Sequence, residues 1–335
     1  MQSGLFIYAI EVVMIVLQTI GILYLMRAIT QPKRNSRIIT NYAGRQVYGG
    51  LGWIWIIWAV LSIGIVILIP SWQTVAPIVL AVGCFVFGHI DDRRGVRGAG
   101  GFHGHMRALL RGSFTTGLLK LFGIGVLSLG AGFVASQANY WTMPATTGGW
   151  AWVSVAGWTL IAGAAIALTA NFVNLCDLRP VRASKVYVFL LLIALVIGLC
   201  VRDLRTVSLF FFIWFVGPVC ATWTYDANEI ALLGDAGANP MGAVAGFFLC
   251  LLLPWWGLVL YLLVVLALNL CSEKVSYSAV VERTPWLRAL DDAGRRTPPI
   301  SPDDDADETR DADADSNEDA AGDECEAATG ADALK

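Results

Sequence analysis

The chain has 335 residues, of which 56% are hydrophobic and 15% charged. Soluble domains are about 45–50% apolar, and here the excess is gathered into long blocks, which excludes an ordinary soluble protein and indicates a polytopic membrane protein. The net charge of -3 conceals a segregation: residues 300–335 carry 14 of the 26 acids with only Arg310 and Lys335 as bases, so a basic body precedes an acidic tail.

The first apolar block runs from Leu5 to about Met26 with no basic stretch before it, and is read as an uncleaved span rather than a signal peptide. A bilayer core needs about 20 apolar residues per helix. Candidate spans follow at 50–70, 74–90, 115–136, 150–170, 186–201 and 206–225, after a first at 4–26. The last block, 241–271, is too long for one span and short for two; Pro254 inside it predicts two short helices.

Charge orients these spans. Arg27, Lys33, Arg34, Arg37 and Arg45 lie in the first loop, Arg93, Arg94, Arg97, Arg107 and Arg111 in the third, and Arg179, Arg182 and Lys185 in the fifth. The even loops hold only Arg202 and Arg205, so the N-terminus is expected outside and the odd loops in the cytoplasm. The predicted fold class is all-α, a transmembrane bundle of about nine spans, in three parts. These are a transmembrane domain at 1–273, a cytoplasmic interfacial segment at 274–299 and a disordered acidic tail at 300–335. In the middle part Thr284 is a candidate N-cap, Pro285 stands at the first helical position, and Trp286 and Leu290 share a face. The tail cannot bury enough apolar surface to order itself.

The acids near the spans collect on one side. Asp91, Asp92, Asp177, Asp226, Glu229 and Asp235 all fall at expected cytoplasmic helix ends; Glu11 alone is mid-span. A transporter would place acids at mid-depth, so the sidedness favours chemistry at the inner interface. Four stretches stand out there. "NYAGRQVYGGLG" (Asn41–Gly52) is glycine-rich and suits backbone approach to an anion. "GHIDDRRG" ends an apolar run in Asp91 and Asp92. "TANFVNLCDLRP" spaces Asn171, Asn174 and Asp177 three apart, on one helical face. "LLGDAGANPMGA" sets Asp235 between glycines at the mouth of a span. Lys120, in "TTGLLKLFG", either snorkels to the interface or faces phosphates. The pair His103 and His105 lacks further ligands at zinc spacing. The seven scattered cysteines form no C-x-x-C pair, which points away from metal or disulfide roles.

In their order and sidedness these motifs resemble the polyprenyl-phosphate N-acetylhexosamine-1-phosphate transferases, glycosyltransferase family 4. That family includes the phospho-MurNAc-pentapeptide transferase and the enzymes that load GlcNAc-1-phosphate onto undecaprenyl phosphate. The likeness runs from about Asn41 to Gly246. It implies an enzyme of the bacterial plasma membrane that moves a sugar-1-phosphate from a UDP-sugar to a polyprenyl phosphate for cell-wall or surface-glycan synthesis. Asp91, Asp92, Lys120 and Asp235 match the family's catalytic positions. Asp235 and Asn174 match its Mg²⁺ site, which Mn²⁺ also suits. Asn41, Asn174, Asp177, Arg179 and Lys185 are the candidate substrate-binding residues. The implied partners are the UDP-sugar, the polyprenyl phosphate, the membrane and a second copy of the chain, with no nucleic acid. One of the two aspartates takes the lipid phosphate's proton, or a carboxylate attacks in a two-step displacement. The sequence departs from the family in three places. "LRPV" (Leu178–Val181) replaces a segment with a second aspartate, Gly237-Ala238 replaces Gly-Ser, and the late histidine motif is absent. A catalytically impaired scaffold or regulator is therefore the alternative, with a transporter behind it.

Overall fold

The structure is a computed structural model; it describes residues 2–29, 38–94, 115–138, 151–201 and 204–296. The expectations for His103 and His105, for the tail at 300–335 and for the side chain of Glu11 lie outside the described residues. The chain divides into a helical unit through Arg295 and a C-terminal unit from Arg296 onward; the description below is of the first.

That unit is a helix bundle. Its described helices are α1 (Gln2–Ile29), α2 (Ile54–Leu68), α3 (Trp72–Arg94), α4 (Thr116–Ala138), α5 (Ala151–Cys176), α6 (Arg182–Val196), α7 (Arg205–Ala227), α8 (Asp235–Leu252), α9 (Trp255–Ser272), α10 (Tyr277–Arg283) and α11 (Pro285–Asp292). Eight stretches from Leu51 to Ser272 are long and apolar enough to cross a membrane, and α1 adds the apolar run Val12–Ala28. The 241–271 block divides at Pro254 into α8 and α9, as its proline predicts. Several boundaries differ from expectation: α5 runs on to Cys176 rather than 170, and two helix starts differ for a visible reason. Helix α6 starts at Arg182 rather than 186, because the charges of its first turn are matched from elsewhere in the chain. Helix α8 starts at Asp235 rather than 241, because its first backbone N–H groups are capped from α3.

Helix α8 is the core: α3, α4, α5 and α6 pack around it, and every residue from Ala236 to Leu252 is buried. Beside it lies an aromatic cluster of Trp55, Trp58, Tyr187, Trp214 and Phe215. Its polar handles have specific work. Pro218 inside α7 has no N–H to give the carbonyl of Trp214, and the indole Nε1 of Trp58 donates to that oxygen at 3.1 Å instead. The Tyr187 hydroxyl donates to the carbonyl of the next residue, Phe215, at 2.8 Å. An unpaired carbonyl in a lipid-embedded bundle costs several kcal/mol, so these bonds explain the aromatic identities.

The all-α expectation also meets one addition, a three-stranded sheet at one end of the bundle. Strands β1 (Ile38–Thr40) and β2 (Gln46–Gly49) form an antiparallel hairpin, and β2 pairs in parallel with β3 (Ala231–Leu232). Strands of two to four residues leave no readable alternation, and the parallel partner lies far along the chain. The sheet matters because β3 leads directly into Gly234 and Asp235.

Candidate functional site: a carboxylate and lysine cluster

The C-terminal ends of α3, α5 and α7 and the N-terminal ends of α4, α6 and α8 meet at the sheet-bearing end of the bundle, and nearly all the singled-out acids gather there. The loop Leu233–Gly234 turns β3 into α8 through Gly234, whose φ of 62° is a left-handed conformation that glycine adopts without strain. Two neighbours press close on the first turn of α8. A Cβ on Gly52 would stand 2.6 Å from the carbonyl carbon of Ala236, and one on Gly88 2.5 Å from the carbonyl oxygen of Asp235. In "NYAGRQVYGGLG" Gly52 therefore gives its space to the backbone of α8.

The two aspartates of α3 part company. Asp92 accepts the backbone N–H of Asp235 at 3.1 Å and of Ala236 at 3.0 Å, one with each carboxylate oxygen. It thereby caps α8 with a negative charge at the positive end of the helix dipole. Asp91 points to α4 instead. Its Oδ1 accepts from the Thr116 hydroxyl at 2.7 Å and its Oδ2 lies 2.8 Å from Lys120 Nζ. Lys120 also donates to the Asp235 carboxylate. A single ammonium therefore ties Asp91 to Asp235, which the sequence holds 144 residues apart. The Lys120, Asp91 and Asp235 side chains are 18%, 15% and 24% exposed, sheltered yet reachable.

Asp177 follows the last residue of α5. Its burial and the nearby carboxylates of Asp226, Asp235 and Asp92 push its carboxyl well above the usual range, opposed by the Gly234 backbone N–H. Asn174, one turn earlier, is half-buried with no side-chain partner among the described residues. Asn171, by contrast, is engaged: it donates to Asn269 Oδ1 of α9 at 2.6 Å. Among the described residues no three His, Cys, Asp or Glu side chains converge into a closed metal site. The donors are oxygens, and negative charge is in excess around Asp177. That chemistry fits a hard dication sharing one or two protein carboxylates with a substrate's oxygens, the usual habit of Mg²⁺.

The other candidates fill supporting positions. Asn41 spends its Oδ1 on the N–H groups of Ala43 and Arg45, shaping the hairpin turn, and donates to Glu229 at 2.6 Å. Arg179 pairs with Glu282 and stacks over Tyr42, 4.6 Å from the ring centre. Lys185 donates to the carbonyls of Leu290, at 3.0 Å, and Asp291. Arg179 and Lys185 thus reach the C-terminal helices rather than the Lys120 cluster.

One participant, Thr116, was not singled out in the sequence, and two acids noted there only for their sidedness, Glu229 and Asp226, turn out to brace the backbone. Thr116 sits one turn before Lys120 on the same helical face, so the i, i+4 spacing offered a signal. Glu229 is buried, takes a left-handed φ of 52°, and accepts from Asn41, Tyr42 and Arg45, bracing the hairpin beside β3. Asp226 is buried and accepts the N–H of Val181 at 3.0 Å, where the chain takes a φ of 55°. For non-glycine residues such conformations cost on the order of 1–3 kcal/mol, and the bonds to the buried carboxylates hold them in place.

No protein-family model matches the chain, and no curated protein matches it.

Proposed function

We propose that the protein transfers a sugar-1-phosphate from a UDP-sugar to a polyprenyl phosphate at the cytoplasmic face of the plasma membrane, releasing UMP. The observation that carries this reading is Lys120 shared between Asp91 and Asp235 at one end of a membrane-spanning bundle, beside the carboxylate of Asp177. One substrate is water-soluble and the other is held in lipid, so their reacting phosphates meet at a helix end. The basic odd loops support a cytoplasmic position for that end.

Phosphoryl transfer needs chiefly positioning and neutralisation of charge. In this reading an oxygen of the lipid phosphate attacks the β-phosphorus of the UDP-sugar, and the bond to the UMP oxygen breaks. Lys120 gives its ammonium to the phosphate oxygens, exchanging a contact with Asp91 or Asp235 for one with substrate. In this reading Asp91, whose carboxylate accepts from Thr116, takes the proton of the lipid phosphate. Asp92 accepts two backbone N–H groups at the head of α8, so its role in this reading is to position Asp235. Asp235 and Asn174 would hold Mg²⁺ with Asp177 next to them, and the ion would supply neutralisation of the pyrophosphate.

A second reading, a catalytically impaired scaffold, draws on the engagement of Arg179 and Lys185 by the C-terminal helices. One assay separates the two. Purified protein in lipid nanodiscs is given undecaprenyl phosphate, Mg²⁺ and a panel of UDP-sugars, and UMP is measured. Release with at least one sugar is expected; a folded, lipid-supplied protein that releases none with any sugar would leave the scaffold reading.

A further inference from the structure

We infer that α11 is a docking surface for the anionic headgroups of the membrane in which the bundle sits. The inference is independent of the chemistry proposed above. Helix α9 ends at Ser272 and α10 begins at Tyr277, whose hydroxyl donates to the carbonyl of Leu268 and whose ring stands edge-on to Phe172 at 6.0 Å. The segment therefore starts against the ends of two membrane-spanning helices.

Its second half is pinned there as well. Asp291 receives a bidentate pair from Arg182, Nε at 2.7 Å and Nη2 at 2.8 Å, and Arg182 opens the spanning helix α6. Nη1 of Arg182 also donates to Ser278 of α10 at 3.0 Å, and Lys185 holds the carbonyl of Leu290. These contacts fix the roll of α11. The face carrying Asp291 turns inward, where that residue is 8% exposed, and the face carrying Trp286 and Leu290 turns outward, at 68% and 62% exposure. Ala289 and Ala293 are exposed on that same outer face.

A helix that buries its aspartate and presents its tryptophan to the outside is inverted for contact with water. It is correctly oriented for contact with a bilayer, where an indole and a leucine sink to headgroup depth. Two bases agree. Lys274 and Arg283 are exposed on this short segment, where anionic headgroups would meet them, while Arg288 is exposed but shared with Asp292 at 3.7 Å. Each base near an anionic leaflet favours the bound state by about fivefold.

The test places an environment-sensitive fluorescent amino acid at position 290, and in a control at 292, of the full-length protein. The nanodiscs are phosphatidylcholine with or without phosphatidylglycerol, and carry spin-labelled lipid as quencher. The expected result is quenching at 290 well above that at 292, stronger with phosphatidylglycerol and reduced by Arg283→Gln with Arg288→Gln. Equal quenching at the two positions would overturn the inference. So would a blue-shifted but unquenched probe at 290, the sign of a protein surface such as a second copy covering this face. Quenching indifferent to phosphatidylglycerol would overturn the anionic assignment.

Discussion

Helices α8 and α9 come from one apolar run of sequence, broken only around Pro254, and end in opposite environments. Helix α8 is buried along its whole length after Asp235, whereas α9 buries only Gly257, Leu258 and Val265 and exposes Trp256, Leu260, Leu263 and Leu270. Apolarity does not explain the difference, since the buried α8 is the less hydropathic of the two; side-chain size does. Helix α8 carries Gly237, Ala238, Gly242, Ala243, Ala245 and Gly246, so its neighbours' backbones close on it. Helix α9 carries bulk, and is tied to α5 by polar bonds: Asn269 accepts from Asn171 and donates to the carbonyl of Leu168, and Tyr261 meets Thr169. In lipid, where leucine gains nothing by leaving the acyl chains, small residues and interhelical hydrogen bonds decide association. The helix held from all sides is also the one whose first residue, Asp235, enters the site.

The sharpest way to break this contrast is volume. A Cβ at Gly242 would stand 2.4 Å from the Thr169 carbonyl oxygen, a backbone atom that cannot swing away. Gly242→Leu is expected to cost more than about 4 kcal/mol and abolish the folded yield, read by size-exclusion chromatography in detergent. On α9, Leu263→Ala is expected to stay within about 0.5 kcal/mol; a comparable loss there would show that a protein surface, not lipid, covers α9.

The next largest effect belongs to the ion pair that joins the C-terminal helices to α6. Asp291→Asn leaves Arg182 and Arg295 crowded without their carboxylate, and removing one partner of a buried pair costs about 3–5 kcal/mol. Limited proteolysis is expected to release α10–α11 while the bundle persists. Burial opposes ionisation of Asp291, but the bidentate Arg182, with Arg295 and Lys185 beyond it, holds its carboxyl below the usual carboxylate range. A folded-state pKa below the unfolded one gives stability that is complete above the unfolded value and is lost as pH falls through the folded one. Acid is therefore expected to mimic Asp291→Asn, and neutral or alkaline pH is not.

Smaller effects test the polar ties. Asn269→Val removes the links from α9 to Asn171 and Leu168 and is expected to cost about 1 kcal/mol, read as a lowered unfolding midpoint in mixed micelles. Trp58→Phe removes the donor that serves the carbonyl freed by Pro218 and is expected to cost about 1 kcal/mol or more.

The sequence made the helix count readable, because each span is a continuous apolar run, and it made the sidedness of the acids readable through the basic loops. It also brought Asp91, Lys120 and Asp235 under suspicion together. The division of labour between Asp91 and Asp92 was not readable: adjacent carboxylates look alike until one faces the α8 backbone and the other faces α4. Nor were the partners of Arg179 and Lys185, because charge patterning along the chain says nothing of a carboxylate or carbonyl about a hundred residues away. The short sheet left no periodic trace at all.

The central claim is that the cluster at the head of α8 performs phosphoryl transfer while the outer face of α9 only meets lipid. It is tested most directly by measuring UMP release from wild type, Asp235→Asn and Leu263→Ala side by side, in nanodiscs with Mg²⁺, undecaprenyl phosphate and the UDP-sugar panel. The account predicts that Asp235→Asn loses at least about 10²-fold in turnover with folding intact and that Leu263→Ala retains wild-type turnover. Wild-type rates in Asp235→Asn would contradict it.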